Sequence, residues 1–438
     1  MLYRLLAEAL LSGRPYFGAA LRAMQRPPER HQCFLPVVSG LRRAGAEVWK
    51  FWRLALGREL PPLPGRLPCG RPRQVVFFAN AVPDSTVSSG EADAIEAMAA
   101  LTAVKGAKAR VFWVTQECWR VTDAKAAGPV GQAALWGIGL SCSTEHADCW
   151  GGLIDIPSGP LNHSAAERLL EALWSPEGER QVAIRDDSSY VARLTRLPIA
   201  QETELPALRT DVAYLITGGL GGLGLRIARW LVDRGARHLV LIGRSALPER
   251  RRWKDLGPSS RQARAVQTLR ELELRGVNVQ TAAFDVADES AWSEWISLYR
   301  DEQRPPIRGV VHAAGVLNPC AAMELTEVQV ARHLSPKLGG ALALERALRD
   351  EPLDFFVMFS SASALIGSPQ LAAYAAANAC LDAFAERRRA AGQPRTQRSL
   401  GLCSAINPFA LESTSCQQMR NVVTSRLGRR YVGNPANP

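Results

Sequence analysis

The chain has 438 residues, of which 47% are hydrophobic and 22% charged, and a formal net charge of +11; this is ordinary globular composition, and enough for two or three domains. No apolar run reaches the length that crosses a bilayer, and residues 1–11 combine an internal acidic residue with no small-residue cleavage site, so no signal peptide or membrane span is read and a cytoplasmic protein is expected. The positive charge comes without a helix-turn-helix, zinc-finger or RNA-binding signature, which points to an acidic protein partner or a phosphorylated cofactor and not to nucleic acid.

Residues 1–72 read as an N-terminal linker region of mixed helical and irregular signals, closing in the proline- and glycine-rich stretches 61–65 and 68–72. Between 73 and 205 the pattern is α/β, with strands at 75–79, 110–115, 152–156 and 182–185 and helices at 91–104 and 129–140. No glycine loop follows its first strand. This half therefore reads as a Rossmann-like unit without a phosphate cradle, bracing its neighbour. The nine cysteines are scattered, with no C-x-x-C pair, so neither a metal nor a disulfide framework is expected.

From 206 to 438 short apolar runs alternate with longer amphipathic ones, the signature of a doubly wound parallel sheet. An apolar strand ending at Thr217 leads into Gly219, Leu220, Gly221, Gly222, Leu223 and Gly224, with Gly219, Gly221 and Gly224 at G-x-G-x-x-G spacing. A helical run follows, then a second strand ending at Gly243. Tight turning, close approach of a pyrophosphate and a helix N-terminus aimed at it all require this arrangement.

A site selective for NAD would place an acidic residue at the end of that second strand; Arg244 and Ser245 stand there instead and suit a 2′-phosphate, which favours NADPH. Asp285 and Val286 close the third strand, where a carboxylate can accept from an adenine amino group. Ala313, Ala314 and Gly315 close the fourth, where small residues let a cofactor lie across the strand ends. Ketone reduction also needs a proton donor at the developing alkoxide. Tyr374 suits that role, with Ser361 at the preceding strand end to polarise the carbonyl, and Asn378 one helical turn after Tyr374.

These residues resemble the short-chain dehydrogenase/reductase superfamily and, more narrowly, the ketoreductase domain of type I modular polyketide synthases, over roughly residues 74–407. Ordinary short-chain reductases carry a lysine four residues after the tyrosine. Here Asn378 is at that place and Lys337, within Ser335-Pro-Lys-Leu-Gly339, stands earlier, which is the exchanged order of the polyketide enzymes. The resemblance implies that Tyr374 protonates, Ser361 orients the ketone, Lys337 supports the tyrosine and the ribose, and Asn378 completes the proton relay. It implies two Rossmann-like subdomains, the structural one (73–205) truncated and the catalytic one (206–438) binding NADPH. It further implies an acyl carrier protein whose phosphopantetheine arm presents a β-ketoacyl chain, other polyketide synthase domains as partners, and residues 1–72 as the remnant of an acyltransferase tail.

The chain departs from the family pattern at 405–410, where an Asn-Trp-Gly-Pro-Trp type of segment is usual, and residues 411–438 are polar and short for the expected substrate lid. A catalytically impaired ketoreductase-derived scaffold is therefore the alternative expectation. Leu317-Asn-Pro319 stands where one stereochemical subclass of the family carries Leu-Asp-Asp, and Ile366 where the other carries a tryptophan before the tyrosine, so neither marker is complete.

Overall fold

The computed structural model describes residues 18–23, 47–52, 73–79, 87–106, 109–119, 121, 128–158, 161–174, 179–185, 188–196, 208–391 and 427–433. The departures expected at 405–410, and all of 411–438 except 427–433, lie outside the described residues, as do the proline-rich stretches at 61–65 and 68–72. Within the stretch read as irregular linker, β1 (Gly18–Ala23) and β2 (Glu47–Trp52) pair in parallel.

The first half is a six-stranded sheet. Strands β3 (Arg73–Phe78), β4 (Ala109–Gln116), β5 (Trp150–Ile156) and β6 (Gln181–Arg185) run parallel and side by side in chain order. β7 (Ser188–Arg196) turns back antiparallel on β6, and the C-terminal strand β13 (Leu427–Gly433) returns to pair antiparallel with β7. Every residue of β5 is buried, as expected of a central parallel strand covered on both faces. The crossovers are α1 (Val87–Val104), α2 (Ala133–Glu145) and α3 (His163–Trp174).

The second half contains β8 (Ala213–Thr217), α4 (Gly222–Asp233), β9 (His238–Gly243), α5 (Arg261–Leu274), β10 (Asn278–Ala283), α6 (Glu289–Asp301) and β11 (Ile307–His312). It continues through α7 (Glu327–Leu334), a π-helical turn (Ser335–Gly339), α8 (Gly340–Ala347), β12 (Phe355–Met358), α9 (Ser363–Ile366) and α10 (Ala372–Ala390). The strand order is β10-β9-β8-β11-β12, all parallel. The order reverses between β8 and β11, so crossovers diverge there and leave a crevice beyond the carboxyl ends of those two strands.

Local sequence sets where several of these helices begin. Ser260 accepts from Ala263 N–H at the start of α5, Asp288 accepts from Ser290 and Ala291 N–H at the start of α6, and Thr326 with Gln329 forms a reciprocal capping box on α7. The two halves share one apolar core: Trp113 and Trp136 of the first pack in the same cluster as Leu215 and Phe384 of the second. Close approach of α2 and α10 closes the seam, and it depends on Gly137, where a Cβ would lie 2.3 Å from the Ala375 backbone.

Candidate active site

The glycine loop sits at the mouth of the crevice. β8 is fully buried and delivers Thr217 to its end, where Thr217 C=O accepts from Ala313 N–H at 3.2 Å. Gly218 then adopts φ +66°, and a Cβ there would lie 2.8 Å from the Ala313 carbonyl oxygen. Both facts require glycine, and Gly218 is a residue that the motif spacing passes over. A Cβ on Gly219 would collide with Ile216 O and Leu241, and one on Gly224 would come within 2.3 Å of Gly218 O. Gly221 caps α4 with no side chain, and a Cβ on Gly222 would meet nothing within 4 Å. The first N–H groups of a helix have no partner within it, so the start of α4, with open space at Gly222 among the described residues, offers a cradle for an anionic group. Leu220 and Leu223 turn their side chains onto the core beneath the sheet, so their contribution to this cradle is backbone.

Around the cradle the other expected cofactor residues fall on three strand ends. Arg244 and Ser245 follow β9 and are exposed, and Arg244 makes no hydrogen bond or ion pair among the described residues. Asp285, beyond β10, is exposed; one carboxylate oxygen accepts from Ala287 N–H at 3.0 Å. Val286 is buried, and its carbonyl accepts from the Trp292 indole N–H. Ala313, Ala314 and Gly315 follow β11 directly, and a Cβ on Gly315 would lie 3.0 Å from Lys337 Cε, so small size here lets Lys337 reach the crevice.

Lys337 rides on the π-helical turn between α7 and α8, a local widening of the helix. It is 5% exposed; its Nζ donates to Phe359 O at 2.8 Å and lies 5.8 Å from the centroid of the Tyr374 ring. Tyr374 stands in the first turn of α10 and is half-buried. Asn378, one turn on, is fully buried; its Nδ2 donates to Tyr374 O at 2.7 Å, while its Oδ1 has no partner among the described residues. A buried amide oxygen left unpaired is costly unless a ligand or water meets it.

Ser361 is 2% exposed and accepts from Ser363 N–H at 3.2 Å and from the Ser363 hydroxyl at 3.0 Å. With both bonds accepted, its own proton is left to donate. Ser363 was not foreseen, because nothing in its spacing distinguishes it from the serines around it. His312 is the other addition. Fully buried at the end of β11, it accepts from the Thr217 hydroxyl on Nδ1 at 2.7 Å and donates from Nε2 to Lys337 O at 2.9 Å. Burial, with the Lys337 charge nearby, pushes its pKa down to about 4, so it is neutral at physiological pH.

The four residues Lys337, Ser361, Tyr374 and Asn378 thus come from the π turn, the segment just after β12 and α10, on the β11–β12 side of the point where the strand order reverses. The open space at the first turn of α4, together with the Asn378 Oδ1 and the Arg244 guanidinium, both unpaired among the described residues, fits a nicotinamide dinucleotide. Fold and site together define an NAD(P)-dependent reductase of the Rossmann type.

Comparison with known proteins makes the assignment narrower. The family model "KR domain" matches residues 212–405, and that of the "Polyketide synthase extender module SpnB, Rossmann fold domain" matches residues 42–194. The first ketoreductase of the tylosin polyketide synthase is 30% identical over 86% of this chain and 78% of that one, with a TM-score of 0.66. The ketoreductase from the first module of phoslactomycin biosynthesis in Streptomyces sp. HK803 is 28% identical over 87% and 78%, with a TM-score of 0.67. A 6-methylsalicylic acid synthase of Aspergillus terreus (strain NIH 2624 / FGSC A1156) is 39% identical over 70% of this chain but only 17% of that protein, so the chain spans less than a fifth of that relative.

The chain belongs to the ketoreductase family of polyketide synthases. It is an NAD(P)-dependent oxidoreductase, and β-ketoacyl reduction in polyketide biosynthesis is the reaction that family and fold assign to it. Among the described residues no helix is long and apolar enough to cross a membrane.

Proposed function

We propose that the chain reduces a β-ketoacyl thioester, held on the phosphopantetheine arm of an acyl carrier protein, to the β-hydroxyacyl thioester with NADPH, alongside other polyketide synthase domains in the cytoplasm. The observation that carries this reading is the convergence of Lys337 and Tyr374, with Nζ 5.8 Å from the ring centroid, one helical turn from an Asn378 Oδ1 that has no partner among the described residues. The first turn of α4 would hold the pyrophosphate, Arg244 and Ser245 the 2′-phosphate, Asp285 the adenine edge, and Ala313 to Gly315 the face of the cofactor. Bound there, the reduced nicotinamide supplies the hydride.

The residues of this chain then handle the oxygen and the proton. Ser361 donates to the ketone oxygen, since its two accepted bonds leave its own proton free, and so polarises the carbonyl. Tyr374 O–H donates its proton to the oxygen as charge develops on it. Lys337, facing the tyrosine ring, stabilises the phenolate left behind. Asn378 ties itself to the tyrosine backbone and offers Oδ1 to the water that returns the proton. No feature of the described site favours the scaffold alternative, because none of the four positions is lost.

The test is NADPH oxidation with a simple β-ketoacyl thioester. Tyr374→Phe lowers kcat by roughly 10²–10⁴-fold, the usual contribution of a positioned acid, and leaves NADPH binding, followed by fluorescence, unchanged. Ketone reduction that survives in Tyr374→Phe rules out the tyrosine as donor.

A further inference from the structure

The segment 366–375, which carries Tyr374 into the crevice, is held by the half of the molecule that has no cofactor cradle. Gln370 has φ +62°, a left-handed conformation that is strained for any residue but glycine, and it lies four residues before Tyr374. Its N–H donates to Glu145 Oε1 at 2.8 Å, and its carbonyl accepts from Cys320 N–H at 2.7 Å. The second carboxylate oxygen of Glu145 accepts from Ala322 N–H at 2.8 Å. Glu145 is the last residue of α2, so one carboxylate of the first half clamps two separate loops of the second.

The rest of that helix end fits the same segment. Ser141 Oγ accepts from Ser368 N–H at 3.4 Å, and a Cβ on Gly367 would lie 2.4 Å from Leu140 O. Two turns before Glu145, Gly137 presses on the backbone of Ala375, the residue after the tyrosine. A carboxylate that accepts two backbone N–H groups forms charge-assisted bonds, stronger than neutral ones, and can hold a strained residue in place.

We propose that Glu145 is a positioning residue for the reductase reaction: its carboxylate keeps Gln370 left-handed, and so fixes the start of α10 and the phenol of Tyr374 against Lys337 and Ser361. The proposal rests on the reading of Tyr374 as proton donor. It makes the first half more than a brace, since the half without a cofactor sets the geometry of the catalytic tyrosine. The glycine loop and Arg244 lie on other strand ends, so cofactor affinity is independent of this clamp.

The experiment compares the wild type, Glu145→Ala and the double variant Glu145→Ala with Gln370→Gly. Glu145→Ala lowers kcat on a β-ketoacyl thioester by about tenfold or more, as displacement of a catalytic group by a fraction of an ångström does. Its NADPH dissociation constant, from fluorescence titration, is unchanged. Adding Gln370→Gly restores most of the lost kcat, because glycine adopts φ +62° unaided. A clamp that only supports the fold has no reason to be rescued by a glycine at one loop position. Unchanged kcat in Glu145→Ala, joint loss of turnover and NADPH binding, or a folded double variant without recovery would each overturn the proposal.

Amide hydrogen exchange gives a readout that does not need turnover. The amides of Gln370, Ala322 and residues 371–375 lose protection in Glu145→Ala, and adding Gln370→Gly restores it at residues 371–375; full protection in Glu145→Ala overturns the clamp. Wild-type protein that binds NADPH yet reduces no thioester counts against the functional reading, and the exchange result still decides whether Glu145 holds the loop.

Discussion

The two α/β halves are built from the same kind of unit and differ in how their strand ends finish. In the first half β3, β4, β5 and β6 follow one another across the sheet without reversal, so no pair of crossovers diverges to open a crevice. In the second half the chain reverses at β8 and β11, and the glycine loop lies there. The first half also fills its strand ends with protein. Asp155, fully buried, accepts from Thr115, Cys118 and Trp119 and pairs with Arg185 at 2.5 Å. Glycine is placed accordingly: Gly218, Gly219 and Gly224 let the loop fold closely against the ends of β8, β9 and β11 and leave Gly222 facing open space, whereas Gly137 on α2 lets another helix backbone approach. Cofactor binding in this architecture depends on strand order together with the space left at the strand ends, and a Rossmann-like pattern of strands and helices does not supply it alone.

Arg185→Ala breaks the comparison most severely. It removes one partner of a buried pair whose side chains are 11% and 0% exposed, leaving the Asp155 charge to its hydroxyl and amide donors. Losing one member of a buried pair costs about 3–5 kcal/mol, and the three remaining donors keep the loss at the lower end. Urea unfolding measures it, and NADPH affinity of the folded protein stays at the wild-type value. If stability is unaltered, the ion pair is not what closes the first sheet.

The second half closes its own strand ends with a neutral imidazole, and that difference is visible in the pH dependence of stability. His312 bridges the Thr217 hydroxyl and the Lys337 carbonyl, under the Lys337 charge, with its folded pKa lowered to about 4 from an ordinary 6.5. Above pH 6.5 both folded and unfolded chains hold it neutral and its contribution is complete. As pH falls below 6.5 the unfolded state takes up the proton and the folded state resists, so stability declines until about pH 4. The loss is on the order of 2 kcal/mol by pH 5. Denaturant unfolding across this range should show the decline in the wild type and a flatter profile in His312→Gln. An equal slope in both would remove His312 as the cause.

Much of the second half was legible because its requirements are local. A strand, three spaced glycines and a helix announce a phosphate cradle without reference to distant residues, and Arg244 and Ser245 mark the next strand end in the same way. The positions of Lys337 and Asn378 were legible through their order around Tyr374. What stayed hidden depends on tertiary contacts. Gly218 falls outside the spacing, and its need for glycine comes from the Ala313 carbonyl across the crevice. Glu145 looks like any helix-terminal carboxylate until the fold brings Gln370 and Ala322 to it, 225 and 177 residues later. The antiparallel strands β7 and β13, and the pair β1 and β2, escaped because strands of this kind owe their form to the partners they pair with.

The smallest expected effect concerns which dinucleotide the second half takes. Arg244 at the end of β9 is exposed and unpaired among the described residues, and a guanidinium there can form charge-assisted bonds to a 2′-phosphate. Solvent screens so exposed a charge, and the interaction is worth about 1–2 kcal/mol, or roughly tenfold in affinity. Arg244→Ala should therefore weaken NADPH binding about tenfold and leave NADH binding, which lacks the phosphate, where it was. A second cation is within reach of the same loop: an Nη of Arg261, at the start of α5, lies 3.4 Å from where a Cβ on Gly221 would be. Arg261→Ala separates the two roles. A guanidinium over the loop would strengthen both dinucleotides, which share a pyrophosphate, so its removal should lower NADPH and NADH affinity together. If Arg261→Ala alone removes the NADPH preference and Arg244→Ala does not, the phosphate is read from α5, and the strand-end arginine is only a surface charge.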